Sequence, residues 1–192
     1  MSEPVADYFV MTGSLGEDGM SFYDIPDPSG SDRWWRGGVF KKQPELPVAV
    51  TIREGDEACR PVDFYDDVPV MSERFFSALT ATGVDNIDVY PAVLKSEDGS
   101  VELRGFHAYN ILGLVSAADP ERTKFSPGNP SRLLDASIET LVVDRRRALD
   151  FLLFRLAENV GTILVHGRVK RALEKQNFVG VKFYEPSGLT IL

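Results

Sequence analysis

Two stretches decide how this chain folds. Residues 70–90 read Val70-Met-Ser-Glu-Arg-Phe-Phe-Ser-Ala-Leu-Thr-Ala-Thr-Gly-Val-Asp-Asn-Ile-Asp-Val-Tyr90, and residues 164–184 read Leu164-Val-His-Gly-Arg-Val-Lys-Arg-Ala-Leu-Glu-Lys-Gln-Asn-Phe-Val-Gly-Val-Lys-Phe-Tyr184. At a constant offset of 94, Arg74 falls on Arg168, Ala78 on Ala172, Leu79 on Leu173 and Tyr90 on Tyr184. Apolar positions follow: Val70 with Leu164, Phe75 with Val169, Ile87 with Val181, Val89 with Phe183. Each copy carries the pattern of a short strand, an amphipathic helix and an alternating strand. Ser72 is suited to cap the first helix and Gly83 to close it. Both leucines, and the small alanines beside them, are expected to face a core. The copies share no catalytic group, so the repeat speaks for scaffold.

Outward from these units the pattern is strand-rich. Asp7–Thr12 reads as a first strand and Leu46–Ile52 as another, with residues 13–33 broken by glycines and prolines between them. Asp98-Gly99 marks a hairpin turn, and the strand after it is expected to run from Val101 through to Val115. Ile138–Val143 reads as a strand and Asp144–Asp150 as one helical turn. Phe151–Leu156 and Thr162–Val165 read as a hairpin. Connections this short predict an α+β fold, dominated by antiparallel sheet with two short helices packed on it. Residues 1–67 read as an acidic strand-and-loop region packed on a core domain of residues 68–192.

The chain has 192 residues and a formal net charge of -8. Residues 1–70 hold 14 acidic and 6 basic side chains, and the remaining 15 and 15 cancel. A field of that sign disfavours nucleic acid and anionic lipid and attracts basic partners; its bland alternative is solubility. No apolar run is long enough to span a membrane. The acidic start lacks a secretory pattern, and the single Cys59 fits a reducing cytoplasm.

Catalytic and metal motifs are missing. His107 and His166 have no cysteine spacing that would hold zinc. There is no Gly-x-Ser-x-Gly elbow, and Gly13–Gly19 lacks the Lys-Ser/Thr of a phosphate loop. Asp56, Glu57, Asp63, Asp66 and Asp67 lack the alternate spacing of a calcium loop. No cofactor and no metal are therefore expected. Arg145-Arg146-Arg147 reads as a solvated turn or as arginines sharing nearby carboxylates. Trp34 and Trp35 are adjacent, so on a strand one can enter the core while the other stays partly exposed.

The stretches Val70–Leu79 with Asn86–Pro91, Tyr109–Asp119, Leu141–Asp144, Leu153–Leu156, Ile163–Leu173 and Val181–Tyr184 carry a family resemblance. Over about residues 68–186 the chain resembles an immunity-protein family of bacterial polymorphic toxin systems. It departs at the second helix start, where His166-Gly167 stands in place of a serine-like cap. The resemblance implies a non-enzymatic protein that binds and neutralises a cognate toxin. Charge, independently, points to a basic target, of which a nuclease is one example. The expected toxin-binding residues are Asp56, Glu57, Asp63, Asp66 and Asp67, with Trp34 or Trp35 as anchor. The rival reading is a small hydrolase or ligand-binding protein whose site assembles from distant residues.

Overall fold

A computed structural model describes residues 7–191, apart from 17, 29, 31 and 130. In chain order the strands are β1 (Tyr8–Gly13), β2 (Phe22–Asp24), β3 (Val48–Ile52), β4 (Phe64–Tyr65), β5 (Val70–Ser72), β6 (Ile87–Lys95), β7 (Glu102–Ile111), β8 (Leu114–Val115), β9 (Lys124–Phe125), β10 (Ile138–Thr140), β11 (Leu153–Leu156), β12 (Ile163–His166) and β13 (Val181–Tyr184). The helices are α1 (Glu73–Ala81), α2 (Arg145–Ala148) and α3 (Gly167–Glu174). The strands form a six-stranded sheet, β2-β3-β6-β7-β5-β4, a five-stranded sheet, β13-β1-β12-β11-β8, and the pair β10-β9. The fold is α+β and largely antiparallel; among the strand pairs of the described residues, β3 with β6 and β8 with β11 run parallel.

The repeat is real in space, and it is larger than the sequence shows. Both copies are strand–helix–strand units, β5-α1-β6 and β12-α3-β13. In each, the two strands do not pair with one another. A third strand runs antiparallel between them: β7 in the first unit and β1 in the second. This is a split β-α-β arrangement made twice. The registers coincide. Val70 and Tyr90 both lie opposite Ala108, while Leu164 and Tyr184, each 94 residues later, both lie opposite Val10. Met71 faces His107 as Val165 faces Phe9; Ile87 faces Ile111 as Val181 faces Gly13. The central strand follows the first unit in sequence and precedes the second.

Side-chain alternation then sorts the core into three layers. The two units turn one face toward each other. Phe75 and Leu79 of α1 and Val169 and Leu173 of α3 meet Met11, Tyr109, Ile163 and Val165 in a central core. Ala78 and Ala172 lie at its flank, half-buried. The outer face of the six-stranded sheet is covered by the chain between β1 and β4, through Met20, Trp34, Phe40 and Val62. The outer face of the five-stranded sheet is covered by residues 115–148, through Ala117, Ala136, Leu141 and Ala148, with Ile191. Each long connection is thus a lid of apolar side chains over one sheet. Residues 7–67 run through both sheets: β1 lies inside one, between β13 and β12, and β4 pairs with β5 in the other.

The strand expected over Val101–Val115 is interrupted. Gly113 adopts φ +91°, and its amide donates to the Gly37 carbonyl at 2.7 Å. The chain turns there, and Leu114–Val115 leaves for the other sheet as β8. Leu141–Val143 is not part of β10, and only Val143 bridges, to Ala118. α2 is the short turn expected after Asp144, whose carboxylate accepts the Arg146 amide. Its arginines do meet carboxylates: Arg145 pairs with Asp7 and Asp150, and Arg147 with Asp144.

Candidate functional site

The acidic residues singled out in the sequence do not form one patch. Asp63 is a hub inside the fold. Its Oδ1 accepts the Ser72 hydroxyl at 2.7 Å, and its Oδ2 accepts Arg74 at 2.6 Å and the Val179 amide at 2.9 Å. Its backbone amide donates to the Val179 carbonyl, and its carbonyl accepts the Ser72 amide. One residue therefore ties the cap of α1 to the loop between α3 and β13, across the two repeat units. Burial pushes the Asp63 carboxyl up, but Arg74, Ser72 and the Val179 amide outweigh it and hold the group below the usual carboxylate range. Arg74 also lies 4.5 Å above the Phe178 ring, which packs edge-on against Phe75.

Asp66 sits under β1, where an added Cβ on Gly13 would come within 2.7 Å of its Oδ1. Burial raises its carboxyl pKa, and the Gly13 amide and the charge of Arg155 pull it back only in part. Arg155 itself is fully buried; it donates to the Val160 carbonyl at 2.9 Å and lies 6.0 Å from the Tyr109 ring centre. Asp67 is exposed, its carboxylate accepting the Val68 amide.

Asp56 and Glu57 lie elsewhere, in the turns after β3. Asp56 accepts the Ser21 hydroxyl and amide, and the hydroxyl bond above all holds its carboxyl low. Glu57 lines a recess of about 220 Å³ with Ile52, Glu54, Glu97 and Asp98. Parallel pairing of β3 with β6, Thr51 opposite Lys95, brings the turn after each strand to the same end of the sheet. Sequence reasoning missed Glu97 and Asp98, because they stand in the charge-balanced part of the chain. Hydrogen bonds from Ser96 and Ser100 lower the Asp98 carboxyl to about 2. Asp98 therefore keeps its negative charge well into acid. Among the described residues, no three His, Cys, Asp or Glu side chains group closely enough to hold a metal ion.

The tryptophans divide as adjacency allows. Trp34 is 0% exposed, packs edge-on against Phe40 and Tyr90, and donates its indole N–H to the Pro26 carbonyl. Trp35 is half-buried against the same layer. Of the histidines, His107 is partly buried, and burial lowers its pKa. His166 caps α3: its Nδ1 accepts the Arg168 amide at 3.2 Å, which places the ring proton on Nε2. The departure seen at the second helix start is thus filled by imidazole in place of hydroxyl.

No helix is long and apolar enough to cross a membrane among the described residues. No curated protein matches the chain. A family model does, that of the immunity protein family Imm11, over residues 5–187. The match begins far ahead of residue 68, where the resemblance read from the sequence began. The reason is structural: β1 is the middle strand of the second repeat unit, so the unit is incomplete without the N-terminal third. With almost its whole length matched, the chain belongs to the immunity protein family Imm11, a family of toxin-neutralising function.

Proposed function

We propose that this protein neutralises its toxin by direct, stoichiometric binding, without turnover of its own, and that the toxin is a basic protein met at the acidic end of the six-stranded sheet. The observation that carries the immunity reading is the family match across residues 5–187. The charge reading rests on the recess of Glu54, Glu57, Glu97 and Asp98, and on the acidic excess of residues 1–70, to which Glu54 and Glu57 belong. Asp56 and the half-buried Trp35 belong to the same outer layer and join the proposed contact set; Asp67 is an exposed outlier to it. Asp63, Asp66 and Trp34 are engaged within the fold, and act on binding through the scaffold. A nuclease suits such a target, since carboxylates can stand where its substrate's phosphates would lie. The protein acts in the cytoplasm, bound neither to nucleic acid nor to membrane.

The test pairs the protein with the toxin encoded by the neighbouring gene. Co-expression should restore growth, and the purified proteins should bind one to one. A Glu54→Gln, Glu57→Gln, Glu97→Gln, Asp98→Asn variant should associate about tenfold more slowly at low salt and lose most of its salt dependence. Any loss of stability should come mainly from Asp98, whose carboxylate holds the Ser96 and Ser100 donors in its turn; the Glu54→Gln, Glu57→Gln, Glu97→Gln variant, which keeps Asp98, serves as the control. Association that is unchanged across a range of salt would remove the acidic recess from the interface while leaving the immunity reading intact.

A further inference from the structure

The layer over the other sheet holds a larger concavity, about 630 Å³, lined by Ala118, Pro120, Phe125, Leu133 and Glu158 among others. Glu158 stands out at its wall. It is 5% exposed. Its Oε1 accepts the Ser116 hydroxyl at 2.6 Å, while its Oε2 is buried and has no hydrogen-bond partner among the described residues. A carboxylate taken out of water and left half-paired is costly, so such groups ordinarily find a cation or a donor. Neither nearby arginine supplies one. Arg132 lies 4.7 Å over the Phe125 ring and donates to the Asn129 and Ser131 carbonyls; Arg147 pairs with Asp144 at 3.5 Å.

The lip of the cavity is strained as well. Leu134 adopts φ +70°, in the left-handed region that a branched side chain avoids. Two hydrogen bonds hold it there, its amide to the Ala157 carbonyl and its carbonyl to the Val160 amide, each at 2.8 Å. A third joins the Ala136 amide to the Glu158 carbonyl. The strained segment is thus fastened to the turn that carries Glu158, and it leaves Leu133 57% exposed at the rim. Backbone strain of this kind persists where the surroundings over-determine it and concentrates at binding sites.

We propose that this cavity is an anchor pocket for one basic side chain of the bound toxin, its cationic end pairing with Oε2 of Glu158 and its aliphatic stem lying along Leu133, Ala118 and Pro120. This rests on the toxin-binding reading above. Ser116 already occupies Oε1, and the unpaired Oε2 is covered, so it meets an incoming group through a turn of the Glu158 side chain toward the cavity; only one oxygen is left to pair. That matches a compact lysine ammonium better than a two-pronged guanidinium. The two arginines at the rim disfavour loose cations and favour a lysine flanked by acidic residues, which adds selectivity.

The pocket is tested first without the toxin. N-acetyl-lysine methylamide is titrated into isotope-labelled protein and followed by NMR. Saturable shifts are expected at the Glu158 carboxyl carbon and the Ser116 and Ala118 amides, with affinity at least about tenfold lower in Glu158→Gln. The Nε-acetylated analogue, which has no charge, should not bind. Leu133→Lys at the exposed lip offers a competing ammonium and should weaken the probe without disturbing the core. Shifts centred elsewhere, or unaltered in both variants, overturn the pocket; so does inorganic phosphate binding there more tightly than the amine. With the neighbouring gene's toxin, Glu158→Gln should speed dissociation about tenfold and leave association nearly unchanged, the reverse of the acidic-recess variant. Equal dissociation rates would overturn the toxin contact. Wild-type protein that fails to bind the toxin would instead refute the immunity reading, and the probe result would still decide whether the pocket takes a cation.

Discussion

The two repeat units share a backbone and differ in nearly everything hung on it. In both, a helix lies over three strands in the same register, and a leucine from each helix, Leu79 and Leu173, enters one central core. Beyond that the units part. The first helix is capped by a serine that is itself held by Asp63; the second is capped by a histidine. The first sheet carries an acidic outer layer, the second a layer with a buried carboxylate in its wall. The difference teaches that the repeated part is the frame, while the acidic recess and the Glu158 cavity are built where the two unrelated long connections meet short turns of that frame. Rigid frames with variable connections are the usual way to keep a fold while changing what it binds.

The sharpest way to break the equivalence is at the two leucines. Leu79→Ala and Leu173→Ala should each cost about 3 kcal/mol in chemical denaturation, because each removes a fully packed side chain and leaves a cavity. Both line the same core, so the double variant should depart from the sum of the singles. A cost below about 1 kcal/mol at either site would mean that one helix is merely laid against the core.

Asp63 and Asp66 sharpen the comparison next, since they stand three residues apart and should respond with opposite sign. Asp63→Asn removes the charge that joins Arg74, Ser72 and Val179, and should cost about 2 kcal/mol at neutral pH. The Asp63 carboxyl is depressed in the folded state, so its contribution is complete above the unfolded value of about 4. It is lost as pH falls through the lower folded value. Asp66 is raised by burial, so its charge opposes folding at neutral pH, and falling pH relieves the penalty. Asp66→Asn should therefore be neutral or stabilising by up to about 1 kcal/mol. Stability against pH for the two variants and wild type checks both signs at once. Equal slopes in acid would mean that neither carboxylate is held as its neighbours imply.

Much of the frame was legible in the sequence. The offset repeat, the hairpin turn at Asp98-Gly99 and the apolar periodicity of both helices follow from local pattern. The two central strands were legible as strands, but their place between the strands of each unit was hidden, because β7 follows its unit and β1 precedes its own, and no constant offset aligns both. The break at Gly113 was hidden too: its cause is a hydrogen bond to Gly37, 76 residues away. The acidic recess was half legible. Glu54 and Glu57 stand in an acidic run, whereas Glu97 and Asp98 join them through parallel pairing that no local pattern encodes. Glu158 gave no signal at all. A glutamate in a short polar turn reads as solvated, whereas in the fold residues 134–136 are bonded to that turn and Ser116 reaches its carboxylate.

The two caps carry modest effects, where the units differ in chemistry but agree in role. Ser72→Ala removes an acceptor for the Phe75 amide and a donor to Asp63, and should cost about 1.5 kcal/mol. His166→Ala removes only the Nδ1 acceptor for the Arg168 amide and an edge contact with Tyr8, and should cost about 0.5–1 kcal/mol. The second helix has a further hold at its start, since the Gly167 amide donates to the Asp7 carbonyl at 2.8 Å. His166→Asn separates the two functions of the ring: asparagine is a strong cap but cannot reach Tyr8 in the same way. If capping is what His166 supplies, Asn should match or exceed wild type in thermal and denaturant unfolding, while Ala falls below it. If both variants lose the same amount, the histidine serves Tyr8 and the start of α3 is held by Asp7 alone.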